Sequence, residues 1–230
     1  VLQLADRTRL SASGEIAGEI YSRFDRLNAF DGGAGVALLH KFGLGDAPWG
    51  RLFAGGGYRD VQDQKRSGPY FELGAVLGKR FSPRLDARLE YRYARRYGGD
   101  GPPVADAPLL PDDVFDQQSH WITLEGSFLA TEQALLTLGF GYRRGDFDSN
   151  ARSNRFEILA QDNVDAVAQD TVFGGWVYRI LGDGYSPFVR INYGLSRRWS
   201  LDLGYRFHYG EGGGLSYQNQ GLRLVALFRY

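Results

Sequence analysis

Apolar and polar residues alternate with period two along most of this chain. Residues 85–93 place Leu85, Ala87, Leu89, Tyr91 and Tyr93 on one face and Asp86, Arg88, Glu90 and Arg92 on the other. Residues 199–208 set Trp199, Leu201, Leu203, Tyr205 and Phe207 against Ser200, Asp202, Gly204, Arg206 and His208. Residues 120–128 pair Ile122, Leu124, Gly126 and Phe128 with Trp121, Thr123, Glu125 and Ser127. Neighbours on a strand point to opposite sides of a sheet, so this alternation predicts strands rather than helices. Eight further segments follow the pattern less strictly, at 8–23, 33–42, 50–60, 70–80, 134–143, 171–180, 187–196 and 217–230. Short connections at 82–84, 131–133 and 196–198 contrast with longer Pro-, Gly- and Asp-rich ones at 97–118, 144–170 and 209–216.

The dipeptide Tyr-Arg closes five of these stretches, at Tyr58-Arg59, Tyr91-Arg92, Tyr142-Arg143, Tyr178-Arg179 and Tyr205-Arg206. With 14 Tyr and 24 Arg in 230 residues, chance gives about 1.5 copies. One face therefore ends repeatedly in an aromatic ring and the other in a cation. An outer aromatic collar with a charged lining is the pattern of a β-barrel in a lipid bilayer.

That pattern predicts an all-β fold: one domain over 1–230, an antiparallel transmembrane β-barrel of about 12 strands. Eleven strands are clear, and the twelfth is expected around 155–161, where Phe156, Ile158 and Ala160 alternate with Arg155, Glu157 and Leu159. With a strand there, all five Tyr-Arg pairs run toward the long-loop rim. The alternative is a ten-strand barrel with 144–170 as a long helical loop.

Arginine facing lipid at the bilayer midplane costs about 2–4 kcal/mol, which turns the cations inward. The expected pore lining is Arg51, Arg59, Arg88, Arg92, Arg143, Arg179, Arg190, Arg206 and Arg223, with lumen carboxylates Glu72, Glu90, Glu125 and Asp202. Other acidic residues crowd the loops, among them Asp112, Asp113, Asp116, Asp146 and Asp170. The formal net charge of zero thus divides into a basic interior under an acidic rim. Two readings of that interior stand. Arg and carboxylate pair into a satisfied plug, as buried charges require; or surplus guanidinium groups line a water-filled path that favours anions.

The chain stops on Gly221, Leu222, Arg223, Leu224, Val225, Ala226, Leu227, Phe228, Arg229 and Tyr230, with apolar residues at alternate positions and an aromatic last. This end resembles the carboxy-terminal assembly signal of Gram-negative outer-membrane proteins, and the whole chain resembles the broad class of small porins and outer-membrane barrels. The resemblance implies Gly221, Leu222, Leu224, Phe228 and Tyr230 as the signal residues. The resemblance implies the outer membrane of a Gram-negative bacterium as location. It implies the lipid bilayer, lipopolysaccharide and the barrel-assembly machinery as partners, with an envelope protein complex as a further candidate. Small twelve-stranded porins for acidic oligosaccharides also have Arg-lined lumens and are the nearest functional analogue.

Composition removes other classes. Mean hydropathy is −0.34 and no apolar run reaches a helical span, which leaves only strands to cross a membrane. There is no Cys, hence no disulfide framework or thiolate metal site. Net neutrality gives no case for nucleic acid. The absence of Met is read as removal of the initiator by signal-peptide processing or trimming. No catalytic residues, metal or cofactor are assigned. His208-Tyr209-Gly210 is loosely similar to the His-x-Ser segment of lipid A deacylases, with Gly210 where their nucleophile stands. Ser119 and His120 are adjacent and so face opposite ways. The expected function is a channel for small polar, anionic solutes such as acidic oligosaccharides. The alternatives are a closed barrel serving as anchor or scaffold, the export barrel of a larger secretion protein, and, third, a lipid-modifying enzyme.

Overall fold

The computed structural model describes residues 1–100, 111–151, 163–196 and 198–228. Twelve strands form one antiparallel sheet: β1 (Leu2–Ala5), β2 (Thr8–Glu19), β3 (Ala29–Lys41), β4 (Trp49–Val61), β5 (Gly68–Ser82), β6 (Leu85–Arg96), β7 (Gln117–Leu129), β8 (Ala134–Ala151), β9 (Val164–Gln169), β10 (Trp176–Gly194), β11 (Trp199–Gly212) and β12 (Leu215–Phe228). The path is a meander in chain order except at β9, which pairs only with the start of β10. Among the described residues no ladder joins β12 to β1 or β2.

The expected number of strands is present, but two of its members differ. Segments 171–180 and 187–196 are one strand, β10, of 19 residues. The Gly182-Asp183-Gly184 stretch within it reads as a turn, yet it continues the ladder with β8 without a break. Pro187 leaves its mark on the other side. It has no N–H to donate, and the β10–β11 ladder lacks pairs between Tyr185↔Tyr209 and Phe188↔Arg206. The additional strands are the short β1 and β9. The candidate strand at 155–161 lies outside the described residues, as does the terminal Tyr230. Segment 144–170 is not a helical loop where it is described: β8 extends to Ala151, and β9 fills 164–169. The long connection expected at 209–216 is a tight hairpin. Gly213 and Gly214 both have positive φ (57° and 69°), the geometry of a two-residue turn whose twist matches the flanking strands.

Fusing the two segments reverses one Tyr-Arg pair. Four pairs lie on β4, β6, β8 and β11, all ascending to the long-loop rim, whereas Tyr178-Arg179 opens the descending β10. Tyr178 is fully buried among Ala151, Val164, Val167 and Ile180, so it belongs to a rim core rather than to an outer collar.

The two faces of the sheet are inverted relative to a water-soluble protein. One face is apolar and exposed: Leu52 is 61% accessible, Leu124 57%, Leu138 58% and Leu222 76%. The opposite face carries polar groups that are buried, such as Glu125, Ser127, Thr137 and Ser186. Soluble sheets bury the apolar face because water repels it. Here Leu10↔Leu38↔Leu52↔Ala75↔Tyr91↔Ile122↔Tyr142↔Tyr185↔Tyr209 runs as one outer row through nine strands.

The sheet is strongly curled. Arg26, between β2 and β3, donates from Nη1 to the carbonyl of Thr171, between β9 and β10, at 2.6 Å. Arg66, in a 3-10 turn between β4 and β5, is buried between Asp63 and Asp170, with the Asp170 contact at 3.2 Å. The Phe115 ring covers its guanidinium at 4.4 Å. Four connections thus meet on the long-loop rim, which requires distant strands to bend toward one another.

Candidate functional site

The inner face is built by pleat parity. Adjacent strands hold three rows in register on β6 to β12. The first is Arg92↔Trp121↔Arg143↔Gly184. The second is Arg88↔Glu125↔Gly139↔Phe188↔Arg206↔Gly221. The third is Asp86↔Ser127↔Thr137↔Arg190↔Gly204↔Arg223. Strands lie about 4.8 Å apart, so long side chains from these rows reach one another.

Glu125 is the hub. Arg190 Nη2 and Arg88 Nη2 both donate to its Oε2, at 2.6 Å and 3.0 Å, and the carboxylate is almost fully buried. Burial of that charge is tolerated because two cations share it. Arg92 reaches Glu72 at 3.4 Å. Two rings are each flanked by two guanidinium groups. Trp121 lies 5.2 Å from both Arg92 and Arg143, and Phe188 lies 5.3 Å from Arg190 and 5.0 Å from Arg206. Such stacking orders a cation without neutralising it. A cavity of about 260 Å³ opens between the two sets, lined by Arg88, Arg92, Trp121, Glu125, Arg190 and Arg206 among others.

A glycine permits this arrangement. A Cβ on Gly139 would stand 2.1 Å from the Phe188 ring. Only a bare backbone lets that ring lie between Arg190 and Arg206.

The other expected lining residues divide. Arg59 is neutralised near the rim by Glu19 at 2.7 Å and Asp31 at 3.2 Å. Nearby, the Tyr21 phenol donates to the same Glu19, and that bond holds its proton above the ordinary tyrosine range. Arg51 stacks on Phe53 at 5.3 Å and belongs to β4, away from the Glu125 hub. Arg143 donates to the Asp146 carbonyl at 2.6 Å. Arg206, Arg223, Glu90 and Asp202 make no ion pair among the described residues, although Glu90 lines the same cavity as Arg206.

Arg179 does not join this set. It lies eleven residues from Arg190 on one unbroken ladder with β8, and an odd separation puts the two on opposite pleats. Its partners are the loop carboxylate Asp113 and Asp165 on β9, each at 3.1 Å. Loop acidity there is spent on holding the rim: Asp116 accepts from the Gly98 amide at 2.7 Å.

The roles of Trp121 and Phe188 exceed what their types suggest. Trp121 shares parity with Glu125, and Phe188 with Arg190, which places both rings inside. The histidines fall on both faces. His120 pairs with Tyr91 outside at 2.8 Å. Inside, His208 contacts the Ser186 hydroxyl through Nδ1 and Tyr217 through Nε2, the latter at 2.9 Å. Among the described residues the second ring nitrogen faces the Tyr217 hydroxyl and not a carboxylate, unlike the orienting third member of a nucleophilic triad.

Comparison of the chain with protein-family models and with curated proteins finds no match.

Proposed function

We propose that this sheet is a closed barrel in the outer membrane of a Gram-negative bacterium and that it passes small anionic solutes. The observation that carries this is the inversion of its faces: leucines exposed, glutamate and arginines sheltered. An apolar area of that extent is stable only against hydrocarbon or a partner. Its height supports lipid. Tyr142, Tyr185 and Tyr209 form an outer aromatic row, with neighbouring centroids 5.7 and 6.2 Å apart. Trp199 packs on Phe228 at 4.9 Å near the short-turn rim. Trp199 to Tyr209 is ten residues, about 33 Å of strand. At the tilt of membrane barrels that is about 25 Å, the height of the apolar band between aromatic girdles.

Closure would pair β12 with β2 beyond Leu10, where β1 leaves the edge of β2 free; the two run in opposite directions and would complete a barrel of ten long strands, an even number. Arg88, Arg92, Arg143, Arg190, Arg206 and Arg223 then face five carboxylates, Glu72, Asp86, Glu90, Glu125 and Asp202. The excess of cations favours anions. Trp121, partly exposed, gives a sliding ligand a flat surface beside the charges. The role is electrostatic attraction and replacement of hydration, without a covalent step. The test is ion current through reconstituted protein, with its sign of selectivity.

A second reading draws on the two arginines that share Glu125 and on the buried Arg66 cluster at the rim. In it the interior is filled, and the barrel acts as an anchor, a scaffold or the export barrel of a larger protein. Absence of current separates it from the first.

A further inference from the structure

We infer that Arg190, Arg206 and Arg223 form a binding subsite for a phosphoryl group, a proposal that rests on the inner-face reading above and deepens it. The three arginines occupy alternate squares of a small grid. Arg190, Gly204 and Arg223 are direct neighbours on β10, β11 and β12, and the adjoining row is Phe188, Arg206 and Gly221. Each arginine therefore stands beside a glycine. A Cβ at Gly221 would meet nothing within 4 Å, so space and not packing adjoins Arg206. The cavity between them is about 280 Å³ and no carboxylate lines it.

The donors are also uncommitted. Arg206 and Arg223 make no hydrogen bond or ion pair among the described residues, and Arg206 is held only by stacking on Phe188 at 5.0 Å. Arg190 gives Nη2 to Glu125, while its Nε is buried without a protein partner. A buried donor left unpaired is costly, and an anion supplies the acceptor. Asp202, two residues before Gly204 on the same face, makes no ion pair with any of the three.

The number of forks selects the ligand. A carboxylate offers two oxygens in a plane, which one or two guanidinium groups satisfy. A phosphate monoester offers three terminal oxygens and close to two negative charges, and three forks converging from three strands match it. Phe188 beside the cluster gives the organic part of the ester an apolar contact. The same chemistry occurs in a free phosphate ester and in an anionic lipid headgroup, and Leu222 and Tyr205 at the cavity wall face the exposed apolar side.

The experiment uses the whole protein in neutral detergent. Equilibrium dialysis measures binding of labelled inorganic phosphate and, separately, of short-chain phosphatidic acid, in a chloride background. Saturable binding of one per chain is expected. R206Q and R223Q each weaken it at least about tenfold, the loss of one charge-assisted hydrogen bond. R84Q, in the exposed turn between β5 and β6, leaves it unchanged. Binding of inorganic phosphate assigns the site to free anions, and binding of phosphatidic acid alone assigns it to a headgroup. No saturable binding of either ligand, or affinity equal in wild type, R206Q and R223Q, overturns the proposal. Unfolded fractions are removed beforehand by selecting species with the gel mobility of the folded protein. Since no current is measured, binding without conductance keeps the site and removes the channel, and conductance without binding does the reverse.

Discussion

Arg190 on β10 and Glu125 on β7 are joined by a 2.6 Å hydrogen bond that passes over the intervening β8. Between them on β8 stand Thr137, paired with Arg190, and Gly139, paired with both Glu125 and Phe188. The bare backbone at Gly139 makes room for the Phe188 ring, against which the Arg190 guanidinium stacks at 5.3 Å.

Glu125→Gln releases Arg88 and Arg190 together. The inner face gains net positive charge, so the reversal potential in a salt gradient moves toward stronger anion preference. Removing the shared acceptor also costs about 1–3 kcal/mol of stability, read as a lower urea midpoint for the refolded protein.

Gly139→Ala brings a methyl group into the Phe188 ring. The ring is almost fully buried and displacing it costs about 1–3 kcal/mol. Gly221→Ala, with open space around it, leaves the unfolding midpoint where it was. Equal effects from the two substitutions would remove the packing argument.

Leu138→Arg discriminates lipid from water outside the sheet. Leu138 is on the exposed apolar face. Against hydrocarbon the substitution costs about 2–4 kcal/mol of folding free energy in vesicles. Against water it would cost within about 0.5 kcal/mol.

Closure is open to cross-linking, because the chain contains no cysteine of its own. Cysteines at Ala12 on β2 and at Ala226 or Leu224 on β12 lie on the outer parity of both strands. A disulfide requires Cα atoms within about 7 Å. One of these double variants is expected to oxidise within the monomer, and its mobility shift on a gel reports it. Pairs that form only between chains would place β12 against another molecule.

Periodicity carried much of this into view. Alternation at 85–93, 120–128 and 199–208 shows which residues share a face, and from parity alone Arg88, Arg92, Arg206 and Glu125 fall together. Turns were less legible. Gly182-Asp183-Gly184 and Gly212-Gly213-Gly214 look alike as glycine-rich punctuation, yet one continues a strand and the other reverses it. The difference lies in whether neighbouring strands supply a ladder on both sides, a tertiary fact. The same limit displaced Arg179: once 171–180 and 187–196 become a single strand, its parity against Arg190 is fixed and it leaves the face of the other expected lining residues. Which carboxylate serves which arginine also depends on register across strands, and no single strand encodes it.

An anion path through an apolar-jacketed barrel is tested most directly by current across a planar bilayer containing the purified protein under a salt gradient. Discrete conductance steps are expected, with a reversal potential on the anion-selective side that R206Q shifts toward zero. A cation-selective reversal potential, or a bilayer that stays silent with folded protein inserted, contradicts it.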